Sequence, residues 1–278
     1  MGIHLGTTYT VVAATEDSQP RILTNAGNQQ LTAPSSLSQR KQPKIVAAIP
    51  CYNTERSIGD IVTRAKKHVD QVIVVNDGSS DNTGEVAQAA GASVIKHQLR
   101  GGAGAATQTG FEVARRSNAD VLVTVDGDGQ HNPEEIPLFI TPILKGEADL
   151  VIGSRFLNRP TDVPRYRKFG IGIITFLLNF GSRVKVSDSQ SCFRAYSKKA
   201  LQFLNITENG FGFSVQLLIQ ARRKGLAIAE VPVSCSYNSD SHSLNPLIHG
   251  LGVALNVVRL RLKRRRPPCV KRKLVLSP

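Results

Sequence analysis

Two aspartates one residue apart, Asp126 and Asp128 in the run DGDGQH, stand directly after the apolar stretch VLVTV. The single glycine between them brings two carboxylates close to one point on a loop, where they repel unless a positive charge joins them. A divalent cation meets that need. Ligands that are all oxygen favour magnesium or manganese, ions commonly held by one or two carboxylates plus the phosphates of a substrate. In that position the ion would bridge a diphosphate and offset charge building on a leaving nucleotide. The competing reading of DGDGQH is a surface turn with two solvated acids.

Two more segments release polar groups in the same way. KIVAAIP runs into Pro50, Tyr52, Asn53 and Glu55, and QVIVVND runs into Asp77 and the polar string GSSD. By itself NDGSSDNT also suits an Asx-rich turn. The elements that deliver these groups alternate. The stretches KIVAAIP, QVIVVND, ASVIKH and DVLVTVDGDG are short and apolar, as buried strands are. IGDIVTRAKKHV, TGEVAQAAGA and GAGAATQTGFEVARRS between them space their apolar residues as helices do. Strands separated by helices predict an α/β fold with a mostly parallel sheet flanked by helices, whose ligands bind outside the carboxyl ends of the strands.

In chain order the sequence carries PxYNxE, NDGSSD, the Gly/Ala-rich RGGAGAA, DGDGQHNP, GSRF, DSQSCFRAYSKKAL and EVPV. This series, from about Lys44 to Ser236, resembles the family 2 glycosyltransferases of GT-A (Rossmann-like) fold, and among them the dolichyl- and polyprenyl-phosphate sugar transferases. The resemblance implies an inverting transferase that moves a sugar from a GDP- or UDP-sugar donor to a lipid-phosphate acceptor, with Mg2+ or Mn2+ as cofactor. It implies that Pro50, Tyr52 and Glu55 line the nucleoside pocket and that Asp77 reads the base or ribose. Gly102, Gly104 and Ala106 would keep the third loop thin beside the nucleotide. Asp126, Asp128 and Gln130 would hold the metal, Asp128 being counted as catalytic. Arg155 and Arg167 would contact the diphosphate, while Asp188, Gln190 and Arg194 would border the acceptor. Arg194 equally suits a structural ion pair. For a lipid-phosphate acceptor no strong base is required; for a sugar hydroxyl, Asp188 is the candidate base.

The sequence departs from the family at three places. Ala103 stands where many relatives have Lys, and Ser214 and Gln216 stand where an acid is common. After EVPV comes NSDSHSLNP instead of an Arg-containing loop, which leaves His242 as a substitute contact or simply a solvated side chain.

Other classes account for less. RGGAGAATQTG opens like a dinucleotide-binding loop but follows the third strand, and it lacks the GK[ST] ending of a P-loop. A sugar nucleotidyltransferase needs a Gly-rich basic loop after the first strand, absent after Ile49. A basic nucleic-acid-binding protein would leave the ordered acidic motifs unexplained, so no nucleic-acid partner is expected. A glycosyltransferase with a soluble glycan or protein acceptor shares every donor-site residue.

The chain has 278 residues and a net charge of +14. Nine Lys or Arg and no acid fall within 259–273, which reads as a solvated tail or as a patch for an anionic membrane surface. The apolar stretches 170–181 and 246–258 fall short of the roughly 20 residues of a spanning helix, and the start lacks the features of a signal peptide. Four cysteines far apart, without CxxC spacing, fit a reducing compartment. These features predict a peripheral protein on the cytoplasmic face of a membrane, with 241–278 as its amphipathic, basic segment. Residues 43–240 would form the transferase domain. Residues 1–42 form an appendage and linker, of which 1–36 resemble the N-terminal β-hairpin of Hsp70-type ATPases (GIHLGTT, with His4 at the acidic position). That fold needs a far longer chain for its nucleotide cleft, so no ATPase activity is expected.

Overall fold

A computed structural model describes residues 2–5, 10–16, 19–22, 42–157, 163–236, 257, 259 and 260. The chain divides into two compact units, Met1–Gln42 and Pro43–Pro278. In the first, β1 (Gly2–Leu5), β2 (Thr10–Glu16) and β3 (Gln19–Ile22) form an antiparallel sheet in that order, one strand more than the expected hairpin. Residues 6–8, the GTT of the Hsp70-like loop, and His242 with most of the basic tail lie outside the described residues.

The second unit begins with the predicted alternation: β4 (Ile45–Cys51), α1 (Glu55–Ala65), β5 (Gln71–Asn76), α2 (Thr83–Ala89), β6 (Ser93–Lys96), α3 (Ala103–Arg116) and β7 (Val121–Thr124). It continues through α4 (Ile136–Leu144), β8 (Leu150–Ser154), α5 (Arg165–Asn179), β9 (Arg194–Ser197), α6 (Lys198–Phe203), α7 (Phe213–Arg223) and β10 (Ile228–Pro232). Seven strands pair in the order β10-β8-β9-β7-β4-β5-β6. All pairs are parallel except those of β9, which runs antiparallel to both β7 and β8.

Alternation along the strands divides the core in two. Val46 and Ala48 of β4 face one layer with Phe111, Leu178 and Leu218, while Ala47 and Ile49 face another with Ile58, Phe139 and Phe193. The helices follow the same logic. In α1 the buried residues Ile58, Ile61, Val62 and Ala65 recur at one helical face, so the helix lies on the sheet with its charged side outward. The parallel strands β4, β5, β7 and β8 all end at one edge, and the antiparallel β9 begins there. This edge collects Tyr52, Asp77, Asp126, Arg155 and the loop 188–193.

Candidate active site

At the end of β7 the chain turns sharply through Asp126, Gly127 and Asp128. Only glycine fits between the acids, since a Cβ at 127 would lie 2.8 Å from the Cβ of Cys51. Ser57 in the first turn of α1 donates its hydroxyl to the Gly127 carbonyl at 2.7 Å, tying the loop to the scaffold. Gly129, at φ 79°, reverses the chain, and the Gln130 amide N–H donates to Asp128 Oδ1.

Burial and the neighbouring Asp128 carboxylate push the Asp126 carboxyl up to about 7, against the opposing pull of Arg155 and Arg194. Burial also raises Asp128, opposed by backbone N–H groups and by the Arg167 cation. Two carboxyls that resist joint ionisation are what a divalent cation relieves. The donor set agrees: two carboxylates and the Gln130 carboxamide are hard oxygen ligands. Among the described residues no group of three His, Cys, Asp or Glu gathers. The residues fit an ion that completes its coordination shell with substrate phosphate and water.

Beneath this loop, His131 is buried, with Nε2 3.6 Å from Asp126 Oδ2 and its ring tilted against Phe193. Burial and the Arg155 cation bring its pKa down to about 4, so it stands neutral beside the acid. In the sequence His131 is only the last letter of DGDGQH, and nothing there gives it a role.

Arg155 leaves the end of β8 and is almost wholly buried. Its Nε and Nη2 donate to the two oxygens of Asp188 at 2.7 and 2.9 Å. The amides of Gln190 and Ser191 donate to Asp188 Oδ1 as well. Burial alone would raise the Asp188 carboxyl, yet the Arg155 guanidinium and these amides hold it below its ordinary value. Glu230, the acid of EVPV, accepts from the Ser187 amide and hydroxyl and from the Asp188 amide, fixing the same loop from β10. Nothing in the sequence pairs Glu230 with Ser187 across 43 positions.

Several expected contacts are engaged with protein instead. Asp77 is buried and accepts from the Gly101 and Gly102 amides at 2.8 and 2.7 Å, with His97 Nδ1 2.8 Å away. It shapes the Gly loop, at the residue that the resemblance implies reads the base or ribose. Gly102 and Gly104 are thin because the chain at 208–209 crosses them. A Cβ on Gly104 would fall 1.8 Å from the Glu208 carbonyl oxygen, and the Gly104 amide donates to the Asn209 carbonyl. Gln216 holds that crossing strap, accepting from the Thr207 amide. Glu55, exposed, receives the Asn82 amide while Asp81 receives the Glu55 amide, so the two acids exchange helix caps.

Arg194 is fully buried and donates to the carbonyls of Ser189, Ser191 and Ser214. It supports the loop from beneath, with its guanidinium taken up by these carbonyls. Gln190 stays partly exposed, with its Nε2 on Ser189. Pro50 and Tyr52 remain at the rim, where the Arg100 guanidinium lies 4.0 Å above the Tyr52 ring. Arg100, the residue before the Gly loop, carries no sequence signal of this contact. The thiols of Cys51 and Cys192 are pushed up by burial, so neither supplies a thiolate near neutral pH.

The sequence pattern of the family described as Glycosyl transferase family 2 matches residues 46–204. The chain belongs to this family. It is 35% identical over 222 residues to the UDP-N-acetylglucosamine–dolichyl-phosphate N-acetylglucosaminyltransferase of Methanococcus voltae, covering 71% of this chain and 87% of that protein. It is 31% identical to the dolichyl-phosphate hexose transferase of Haloferax volcanii, covering 77% and 92%. Among solved structures, glucosyl-3-phosphoglycerate synthase of Mycobacterium tuberculosis, in complex with Mn2+, UDP-glucose and phosphoglyceric acid, superposes with a TM-score of 0.62 at 23% identity, covering 80% and 79%. The fold is therefore that of the GT-A glycosyltransferases, and the enzyme is a family 2 glycosyltransferase.

Proposed function

We propose that this glycosyltransferase moves a sugar from a GDP- or UDP-sugar to a polyprenyl or dolichyl phosphate, with inversion, at the cytoplasmic face of a membrane. The observation that carries the reading is the paired Asp126–Asp128 loop at the strand-end edge, with the Arg155 and Arg167 cations near enough to favour its ionised carboxylates. Asp126, Asp128 and Gln130 would hold Mg2+ or Mn2+, which would supply positive charge against the departing nucleoside diphosphate. Arg155, clamped by Asp188, supplies a fixed positive charge that needs no reorganisation as the diphosphate leaves. His131, neutral and buried, packs behind Asp126.

The acceptor phosphate oxygen is anionic at neutral pH. It forms the bond to the anomeric carbon as the bond to the diphosphate oxygen breaks, and no proton has to move. A hydroxyl acceptor needs a free carboxylate as base, whereas both oxygens of Asp188 are engaged by Arg155. That engagement favours the phosphate acceptor and gives Asp188 a positioning part. The lipid-phosphate acceptors named for the Methanococcus and Haloferax relatives support the same choice.

The test incubates the full chain with labelled UDP- and GDP-sugars and a polyprenyl phosphate, with and without manganese. Metal-dependent label in the organic phase is expected. Label transferred to a soluble glycan or protein and never to lipid overturns the acceptor assignment.

A further inference from the structure

Helix α5 shows an unusual division of surfaces. Ile174, Thr175 and Leu178 are buried against the core. The opposite side carries Tyr166, Phe169, Ile173, Phe176 and Phe180, spaced three, four, three and four residues apart, hence a single stripe along the helix. Phe169 is 72% exposed, Phe176 66% and Phe180 69%. Phe169, Ile173 and Phe176 border a shallow open groove of about 340 Å³. Single exposed apolar residues are ordinary, but a contiguous aromatic stripe marks an interaction face.

The charges on α5 and in the segment just after it have one sign. Arg165, Arg167 and Lys168 occupy the first turns, Arg183 and Lys185 follow the helix, and no acid occurs from 165 to 187. The first turn of α5 has no acidic residue and its last turn no basic one. This layout opposes the helix macrodipole, a cost that an anionic partner at the N-terminal end offsets. Aromatic residues in the middle with cations at both ends match the profile of an anionic lipid interface, where rings sit at headgroup depth and cations meet phosphate. The helix has 15 residues, so it spans roughly 22 Å and lies along such a surface. Among the described residues no helix is long and apolar enough to cross a membrane.

We infer that the exposed face of α5 docks the enzyme onto an anionic lipid bilayer, independently of the basic tail. The inference deepens the proposed function and rests on it for the identity of the acceptor only. The helix, by its other side, adjoins the chemistry. Arg167, within Coulombic reach of Asp128, sits between the outward Tyr166 and Phe169 in sequence. Deeper along α5, the Thr175 hydroxyl lies 2.8 Å from that of Ser189, next to the Asp188 that clamps Arg155. Thr175 is on the buried side of α5, so a bilayer resting on the stripe lies one helix diameter, roughly 10 Å, from the loop 188–193.

The protein has no tryptophan, so Phe169→Trp and Phe176→Trp each place a unique reporter on the stripe. With vesicles of phosphatidylcholine and about 30% phosphatidylglycerol, emission should shift to the blue and be quenched by brominated acyl chains. Emission already blue without vesicles and unchanged by them overturns the proposal in favour of cover by residues 237–256. A blue shift that instead follows protein concentration and a doubling of mass overturns it in favour of a second copy. Phe169→Asp/Phe176→Asp should weaken vesicle binding roughly tenfold or more, including at high salt, with UDP- or GDP-sugar affinity kept. Unchanged vesicle binding in this variant sinks the docking face. Vesicle binding with no nucleotide-sugar affinity in the parent chain sinks the proposed function and leaves the docking face standing.

Discussion

Asp188 grips Arg155 through both carboxylate oxygens, at 2.7 and 2.9 Å, with the acid wholly buried and the base nearly so. Such a pair is costly to break from one side, because the surviving charge stays buried and unpaired. Asp188→Asn should destabilise the fold by about 3 kcal/mol and lower kcat, with Arg155 no longer held in place. The pH dependence follows from the direction of the shift. The Asp188 carboxyl lies below its ordinary value of 3.8 in the folded chain, so its contribution is complete above that value and fades as the pH falls through the lower folded one. Urea denaturation of both forms should show a gap near neutrality that narrows only in strong acid. A gap that narrows between neutrality and about pH 5 would contradict this assignment.

The acidic loop yields a sharper kinetic test. Asp128→Ala removes a proposed metal ligand from a loop outside the two core layers, so the fold should be retained while transfer falls about 100-fold or more. Chelation by EDTA should silence the parent enzyme, and manganese should restore it. Full activity in EDTA refutes the metal role of Asp126, Asp128 and Gln130.

The strand-end acids are readable in the sequence because an apolar run followed by Asp-Gly-Asp is a local signal, and the sheet places every parallel strand end at one edge. The partnerships of those acids are not local. The resemblance implies that Asp77 reads the base or ribose; its oxygens also meet amides 24 and 25 residues away, and Arg194 is engaged by carbonyls of the loop it underlies. The strand β9 gives equally little warning: RAYS is four residues long, and its antiparallel place between β7 and β8 is a tertiary choice. The stripe on α5 hides within a segment whose sequence says only that it is too short to span a membrane.

The crossing of Gly104 by the Glu208 carbonyl makes a packing prediction. Gly104→Ala inserts a methyl group against backbone and should cost about 2 kcal/mol, measured by urea denaturation. At Gly170 in α5 an added Cβ would meet nothing within 4 Å, so Gly170→Ala should be neutral or stabilise by about 0.5–1 kcal/mol through backbone entropy. Equal effects at the two glycines would remove the strap from the account.

The N-terminal unit offers a test of separability. Met1–Gln42 is a compact unit of its own, and the family pattern begins only at residue 46. Deleting residues 1–40 should leave nucleotide-sugar affinity unchanged within about twofold. Lost affinity or failure to fold would make the segment part of the transferase.

The basic tail and the α5 face differ in their response to salt. The Leu260 carbonyl accepts from Arg223 Nη2, and Val257 is buried in the same core layer as Leu178 of α5. A truncation that keeps this anchor and removes 261–278 takes away eight of the nine clustered cations while sparing the fold. Each cation near an anionic surface contributes on the order of 1 kcal/mol at low ionic strength, and salt screens that attraction within a Debye length of about 8 Å at physiological strength. Apolar insertion by α5 is not screened. Co-sedimentation with anionic vesicles should therefore fall strongly at low salt when the tail is removed, and little at high salt, where the stripe carries the binding. Transfer to a long-chain lipid phosphate should slow in step with the low-salt loss, with affinity for the nucleotide sugar kept. Equal sedimentation of the two forms at low salt would return the tail to a solvated extension. Complete loss at every salt concentration would mean that the tail, and not α5, holds the enzyme on the bilayer.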